Sequence, residues 1–143
     1  MIKITVKNSS IHGLGVYASS DIKKGEVVVR WENTRELSQK KLESLPIEEH
    51  AYIEKSADTI LLLGIPERYV NHSCDPNTIP GEKCDIAARD IKTGDEITTD
   101  YGNFYIPDKN FNCQCKSTCC RKFIIGKKKK TKVTPASREA REV

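Results

Sequence analysis

Arg68-Tyr69-Val70-Asn71-His72-Ser73-Cys74-Asp75-Pro76-Asn77 follows an apolar run, Thr59-Ile60-Leu61-Leu62-Leu63, that stops at Gly64 and Pro66. The apolar run predicts a buried strand. Polar residues this dense directly behind it are expensive to bury without hydrogen-bond partners, so the segment is a structured turn rather than a loose loop. His72 and Cys74 stand two residues apart, a spacing at which a base and its nucleophile rarely face each other. Composition alone therefore gives this stretch one candidate metal ligand, Cys74, and no catalytic pair.

Moving toward the C-terminus, Glu96-Ile97-Thr98-Thr99 leads into Asp100-Tyr101-Gly102. A tyrosine that ends a strand before glycine is ordinarily a half-buried structural residue, and nothing local assigns it chemistry. Cys113-Gln114-Cys115-Lys116-Ser117-Thr118-Cys119-Cys120-Arg121 is more specific: four of the six cysteines fall within eight residues. They could close a zinc site alone, or three could join a distant fourth. Lys116, Arg121 and Lys122 nearby favour thiolates.

Moving toward the N-terminus, short strands alternate with turns. Ile2, Ile4 and Val6 alternate, His12-Gly13-Leu14-Gly15 interrupts, and Val16-Tyr17-Ala18 resumes before Glu26-Val27-Val28-Val29-Arg30-Trp31. A bare Gly-x-Gly lacks the third glycine and following helix of a dinucleotide site, so by itself it fits a hairpin turn. Residues 36–56 change character, with Leu37, Leu42, Leu45, Ile47, Ala51 and Tyr52 set among charged residues and a helix start at Pro46-Ile47-Glu48-Glu49. One internal echo occurs: Ala18-Ser19-Ser20-Asp21-Ile22-Lys23-Lys24-Gly25-Glu26 returns as Ala87-Ala88-Arg89-Asp90-Ile91-Lys92-Thr93-Gly94-Asp95-Glu96. Both copies read as strand-to-strand turns, with Gly25 and Gly94 free to take positive φ.

The 143 residues fit one domain, with 37% hydrophobic and 31% charged residues. The net charge of +4 is unevenly placed: residues 127–143 hold seven Lys/Arg and two Asp/Glu, leaving 17 basic and 18 acidic residues elsewhere. A near-neutral body with a basic, disordered tail is expected, which removes the charge argument for a nucleic-acid-binding domain. No apolar run reaches the roughly 20 residues of a membrane span, and the N-terminus lacks the core of a signal peptide. In a chain that is not exported, six cysteines speak against a disulfide framework.

Taken together and in this order, RYVNHSCDPNT (68–78), AARDIKTGDEITTDYG (87–102) and CQCKSTCCR (113–121) resemble the SET-domain lysine methyltransferases, over about residues 9–123. The resemblance implies a mostly β fold with short helices, built of several small antiparallel sheets with a knot-like C-terminal crossing. It implies a SET domain over 1–108 with a helical insert at about 36–56. A post-SET zinc segment follows over 109–126, then the basic tail over 127–143. The implied cofactor, S-adenosylmethionine, would lie against Gly13, Leu14, Gly15, Tyr52, Asn71 and His72, with Phe123 over its adenine. Tyr101 matches the catalytic tyrosine, and Thr99, Phe104 and Tyr105 match positions along the lysine channel. Cys74, Cys113, Cys115 and Cys120 match a zinc shell, leaving Cys84 and Cys119 free.

The implied activity is methyl transfer to a lysine of a protein substrate, a histone or histone-like protein. A silent SET-like binding module and a zinc-stabilised nucleic-acid binder are the alternatives. A weak nucleic-acid contact through the tail and no membrane partner are expected. The location would be the cytoplasm in a prokaryotic host and chromatin in a eukaryotic one. Two departures from the family pattern bear on substrate. Thr99 stands where relatives carry Phe or Tyr, implying a roomier channel and more than one methyl group. Trp31-Glu32-Asn33-Thr34 replaces the usual Tyr-x-Gly-Glu.

Overall fold

The computed structural model describes residues 2–55, 58–103 and 111–124. Its strands in chain order are β1 (Ile4–Asn8), β2 (Leu14–Ala18), β3 (Val27–Arg30), β4 (Arg35–Glu36), β5 (Ile53–Lys55) and β6 (Ile60–Leu62). After them come β7 (Asn71–His72), β8 (Thr78–Gly81), β9 (Cys84–Ala87), β10 (Glu96–Thr99), β11 (Phe111–Asn112) and β12 (Phe123–Ile124). One short helix, α1 (Gln39–Glu43), and three 3-10 turns at Ile47–Tyr52, Glu67–Tyr69 and Tyr101–Asn103 complete the described elements. No described helix is long and apolar enough to cross a membrane.

The strands form sheets of order β1-β2-β10-β7, β3-β9-β8, β4-β6-β5 and β11-β12. All pairs are antiparallel except β10 with β7, which run parallel with Thr98 opposite Asn71 and Thr99 opposite His72. The expectation of small, mostly antiparallel sheets holds, and its exception is the pair that carries the site. The main core is aliphatic: Val16, Ala18, Ile22, Val28, Val29, Val70, Ala87, Ile91 and Ile97. A smaller cluster of Leu42, Ile53 and Leu62 lies beneath the insert.

The repeated turns meet. Ile22 and Ile91 exchange backbone hydrogen bonds of 2.8 Å in both directions. Around that bridge each contact has a counterpart. Ala18 N–H donates to Asp95 O and Ala87 N–H to Glu26 O, both at 2.9 Å. Lys24 N–H donates to Asp90 Oδ1 at 2.8 Å and Thr93 N–H to Asp21 Oδ1 at 2.9 Å. Gly25 and Gly94 take φ of +91° and +92°, the left-handed backbone that the sequence leaves to glycine. The same correspondence relates the β2–β10 pair, Tyr17 opposite Glu96, to the β9–β3 pair, Ile86 opposite Val27. Two like turns thus clasp the β1-β2-β10-β7 and β3-β9-β8 sheets about one approximate two-fold axis.

The insert differs from the expected helical segment over 36–56. Ser38 caps α1 by accepting from Lys41 N–H at 3.1 Å, but the helix lasts five residues. A 3-10 turn follows Pro46, and Ile53–Lys55 is a strand, paired with β6 from Ile53–Leu62 to Lys55–Ile60. Helices this short are not stable alone, so the ladder with β6 and burial of Ile53 override local helical preference.

Candidate active site and cysteine centre

The loop before β2 is shaped by Ser9, whose backbone N–H reaches Gly13 O at 2.8 Å and whose Oγ accepts Ile11 N–H at 2.9 Å. Gly13 has φ +48°, and a Cβ on Gly15 would collide with the Glu96 carboxylate. Buried Asn71 holds this loop against β10: its Nδ2 lies 3.0 Å from both His12 O and Leu14 O and 2.9 Å from Glu96 Oε1. Two amide protons are therefore shared among three acceptors. Ser9 Oγ also donates to Glu96 Oε1 at 2.8 Å, which makes Glu96 the anchor of the loop.

The parallel β7–β10 pair brings Tyr101 over His72. Tyr101 N–H donates to His72 Nδ1 at 3.0 Å, so the neutral imidazole carries its proton on Nε2. Nε2 faces Cys74 Sγ at 3.4 Å. Burial holds His72 below its ordinary pKa, against the Asp100 carboxylate 3.7 Å away. The Tyr101 hydroxyl donates to Val70 O at 2.6 Å, and burial raises its pKa above the ordinary value. It is thus a phenol at neutral pH, with its proton committed to a carbonyl and its oxygen lone pairs free to accept. His72, Tyr101 and Phe111 stack edge-on, with ring centroids 5.4–5.8 Å apart.

Beside this crossing the sulfurs of Cys74, Cys113, Cys115 and Cys120 all lie within 4.8 Å of one another, and Cys74 to Cys113 is 3.8 Å. A tetrahedral zinc with bonds of about 2.3 Å needs sulfurs about 3.8 Å apart, so the donor set fits that ion. N–H groups surround the sulfurs as thiolates require: Arg121 N–H and Nε approach Cys74 Sγ at 3.3 and 3.5 Å, Cys115 N–H approaches Cys113 Sγ at 3.4 Å, and Lys122 N–H approaches Cys120 Sγ at 3.4 Å. Hydrogen bonds to Cys74 and Asp100 raise the Arg121 pKa further, fixing its charge there. Cys119 is exposed and points to Ser117 Oγ and Cys74 O, outside the cluster, and Cys84 is buried in β9.

A cavity of about 690 Å³ joins these parts. Gly13, Leu14, Tyr52, Asn71, His72, Thr99 and Tyr101 all line it, with Phe111, Cys113 and Gln114. Of the sequence-derived candidates, Gly15 and Phe123 are not among the lining residues, and Phe123 stands 49% exposed on β12. Phe104, Tyr105 and the 127–143 tail lie outside the described residues. Several contributors escape motif reading: Glu96, which anchors the loop from outside the lining, Phe111, and the wall of Trp31, Glu54, Glu67 and Asp85. Only Trp31, as a departure from the family pattern, is flagged by the sequence. Burial raises Glu54 to about 7, with Asp85 adding to the shift. It raises Asp85 to about 6 despite the Trp31 Nε1 donor at 3.1 Å.

The described residues thus form a domain of small sheets in which a glycine loop and a tyrosine–histidine crossing line one cavity, beside four thiols whose spacing suits a metal ion. The SET domain model matches residues 13–102. The histone-lysine N-methyltransferase trithorax of Drosophila virilis is 34% identical over 139 residues, covering 85% of this chain and 4% of its own length. The histone-lysine N-methyltransferase set1 of Dictyostelium discoideum is 32% identical over 139 residues, covering 85% of this chain and 9% of its own. The crystal structure of a Plasmodium falciparum protein, described as a candidate histone methyltransferase, superposes with a TM-score of 0.55 at 27% identity. That match covers 71% of this chain and 95% of the other. The chain belongs to the SET-domain family. It spans only a small fraction of the length of the curated relatives it matches.

Proposed function

We propose that this chain is a protein-lysine methyltransferase that uses S-adenosylmethionine and acts on histones. The observation that carries the reading is Tyr101: a phenol whose proton is held by Val70 O faces the same cavity as Gly13–Leu14 and Asn71–His72. When bound, the cofactor supplies an electrophilic methyl on a sulfonium. The chain's residues do the positioning, and an in-line displacement gains most from positioning. The His12–Leu14 loop, held by Asn71, and the His72 ring form one side of the cavity, where the cofactor would rest. The Tyr101 oxygen, able only to accept, would take an N–H of the lysine amine and aim its lone pair along the attack line.

A lysine amine has a pKa near about 10.4 in water, and an apolar, water-poor channel lowers it toward the neutral nucleophile. Zinc, held by Cys74, Cys113, Cys115 and Cys120, would be structural, since four thiolates leave no open position. It would tie Cys74, next to His72, to the C-terminal segment that carries Phe111. Histones are the proposed substrate because the relatives named above carry that word in their names. Thr99 lines the cavity where a bulkier ring would narrow it, so the product should carry more than one methyl group. Mass spectrometry of histones incubated with the chain and cofactor tests both points. Lysine di- or trimethylation supports the reading, and a product that stays monomethylated at long times contradicts the roomier channel.

A further inference from the structure

Arg121 has no part in the transfer as described, yet it spans the gap between the cysteine centre and the turn that carries Tyr101. Its Nε approaches Cys74 Sγ at 3.5 Å and its backbone N–H approaches the same sulfur at 3.3 Å, while Nη2 donates to Asp100 Oδ1 at 2.6 Å. Asp100 Oδ1 also accepts Gly102 N–H at 2.8 Å, so the residue before Tyr101 holds the residue after it. From there the contacts close on themselves. Tyr101 N–H donates to His72 Nδ1 at 3.0 Å, and His72 Nε2 faces Cys74 Sγ at 3.4 Å. Cys74, Arg121, Asp100, Tyr101 and His72 thus make one ring of contacts, in which a cysteine of the cluster and the proposed catalytic tyrosine are joined by two routes. Gly102 leaves room for this ring, because a Cβ there would stand 3.0 Å from Asp100 Oδ1 and 3.3 Å from Arg121 Nη1. Neither Arg121 nor Asp100 is among the residues lining the cavity, so neither meets the cofactor or the lysine directly.

Stability does not account for the arrangement. The Arg121 side chain is 47% exposed and that of Asp100 21%, and an ion pair this open to solvent contributes little to folding. What the pair supplies is direction. A guanidinium is a rigid fork that holds a sulfur through Nε and a carboxylate through Nη2 at a fixed separation, which the compact ammonium of lysine does not do. Misplacing a reacting group by about 1 Å can cost about a hundredfold in rate. Resting on the methyltransferase reading, we propose that Arg121 is a positioning residue for the transfer. Through Asp100 it sets the Tyr101–Asn103 turn from the side of the cysteine centre, and so aims the Tyr101 hydroxyl without touching either ligand. Val70 O and His72 Nδ1 fix the same tyrosine from the side of the sheet. Arg121 thereby gives the centre a path to the reaction that is separate from holding the C-terminal segment in place.

The test uses the full chain with zinc, and reads single-turnover methylation of histones together with hydrogen exchange of individual amides by NMR. Arg121→Gln should lower the single-turnover rate about tenfold, with KM for the histone and the affinity for S-adenosylhomocysteine within about twofold of wild type. In the same variant the Tyr101 and Gly102 amides should exchange about tenfold faster, while those of the β1–β2 ladder keep their rates. Arg121→Lys keeps the charge but not the fork, and should restore neither property. Asp100→Asn leaves the contacts to sulfur in place and should lower the rate to the same extent. Combining it with Arg121→Gln should add little further. It also decides the matter if Arg121→Gln loses its zinc. An unchanged rate in both single variants, or full rescue by Arg121→Lys, overturns the inference and leaves the methyltransferase reading intact. A parallel fall in Tm, S-adenosylhomocysteine affinity and rate overturns it in favour of a purely structural role. A wild type that methylates no histone lysine overturns both readings together.

Discussion

Along the side of the cavity formed by His12–Leu14, Asn71 and His72, polar groups are tied into a dense network: the Asn71 amide serves three acceptors, His72 uses both ring nitrogens, and Glu96 closes the set. Along the side formed by Trp31, Glu54, Glu67 and Asp85, the buried oxygens Asp85 Oδ1 and Glu67 Oε1 have no hydrogen-bond partner. The difference separates two kinds of cavity wall. The first is preorganised, so its ligand meets a fixed shape and little ordering remains to be done. The second stores unfavourable electrostatics in carboxyls that burial holds above their ordinary pKa.

The largest effect should come from removing what holds the preorganised side in place. Chelation of zinc, or Cys113→Ser, should release the C-terminal segment and leave His72 Nε2 facing an unsupported Cys74. A structural zinc contributes apparent binding free energies of about 10–16 kcal/mol. Elemental analysis should find one zinc per chain in the wild type. Chelation should abolish cofactor binding and lower Tm together, and an unchanged Tm would break the link between the centre and this side of the cavity.

Next in size is Asn71→Ala. It removes three contacts, taking one donor each from the His12 and Leu14 carbonyls and from Glu96, which keeps Ser9 Oγ, at a cost of about 2–4 kcal/mol. Calorimetry should show that loss in stability along with weaker S-adenosylhomocysteine binding. If stability falls but affinity stays, the network supports the fold without shaping the cofactor site.

The acidic side predicts a smaller effect of opposite sign. Burial holds Glu54 at about 7 and Asp85 at about 6, above the values of 4.5 and 3.8 they have when exposed. Between about pH 4 and 7 the folded chain therefore keeps protons that the unfolded chain has released. Stability declines as pH rises through that window and levels off above it. Asp85→Asn with Glu54→Gln should remove the decline, gaining on the order of 2 kcal/mol over wild type at pH 8 and almost nothing at pH 4. Denaturant melts at the two pH values check it. Equal stability of variant and wild type at both pH values would contradict it.

The smallest effect concerns the product. Thr99→Tyr should shift histone methylation toward the monomethyl form at little cost in cofactor affinity, as read by mass spectrometry. An unchanged product distribution would move the limit on methyl number to another residue.

The two sides were unequally legible in the sequence, for physical reasons. His12-Gly13-Leu14-Gly15, Asn71-His72 and the cysteine cluster are short segments whose chemistry depends on near neighbours, so their order along the chain was enough to suggest the site. The repeated turns were visible too, because each needs glycine at a positive φ, although their mutual clasp was not. Asp85 shows the opposite case. In a strand it should alternate to solvent, but β9 lies between β3 and β8 and buries Cys84, Asp85 and Ala87 alike. Only that long-range pairing buries it beside the cavity. Glu96 is hidden for the same reason, since its partners Ser9 and Asn71 are 87 and 25 residues away. The insert misled through local preference: Ile53–Lys55 looks helical by its charged neighbours and becomes a strand because Ile60–Leu62 pairs with it.

The central claim rests on Tyr101, and the most direct measurement is transfer of a labelled methyl group from S-adenosylmethionine to recombinant histones by the wild type and by Tyr101→Phe. The account predicts lysine methylation by the wild type. It also predicts a loss of at least about a hundredfold in kcat for the variant, with S-adenosylhomocysteine bound as tightly by both. A wild-type chain that holds zinc and binds the cofactor product but methylates no histone lysine would contradict the proposed activity. A Tyr101→Phe chain that turns over like the wild type would contradict the role given to its hydroxyl.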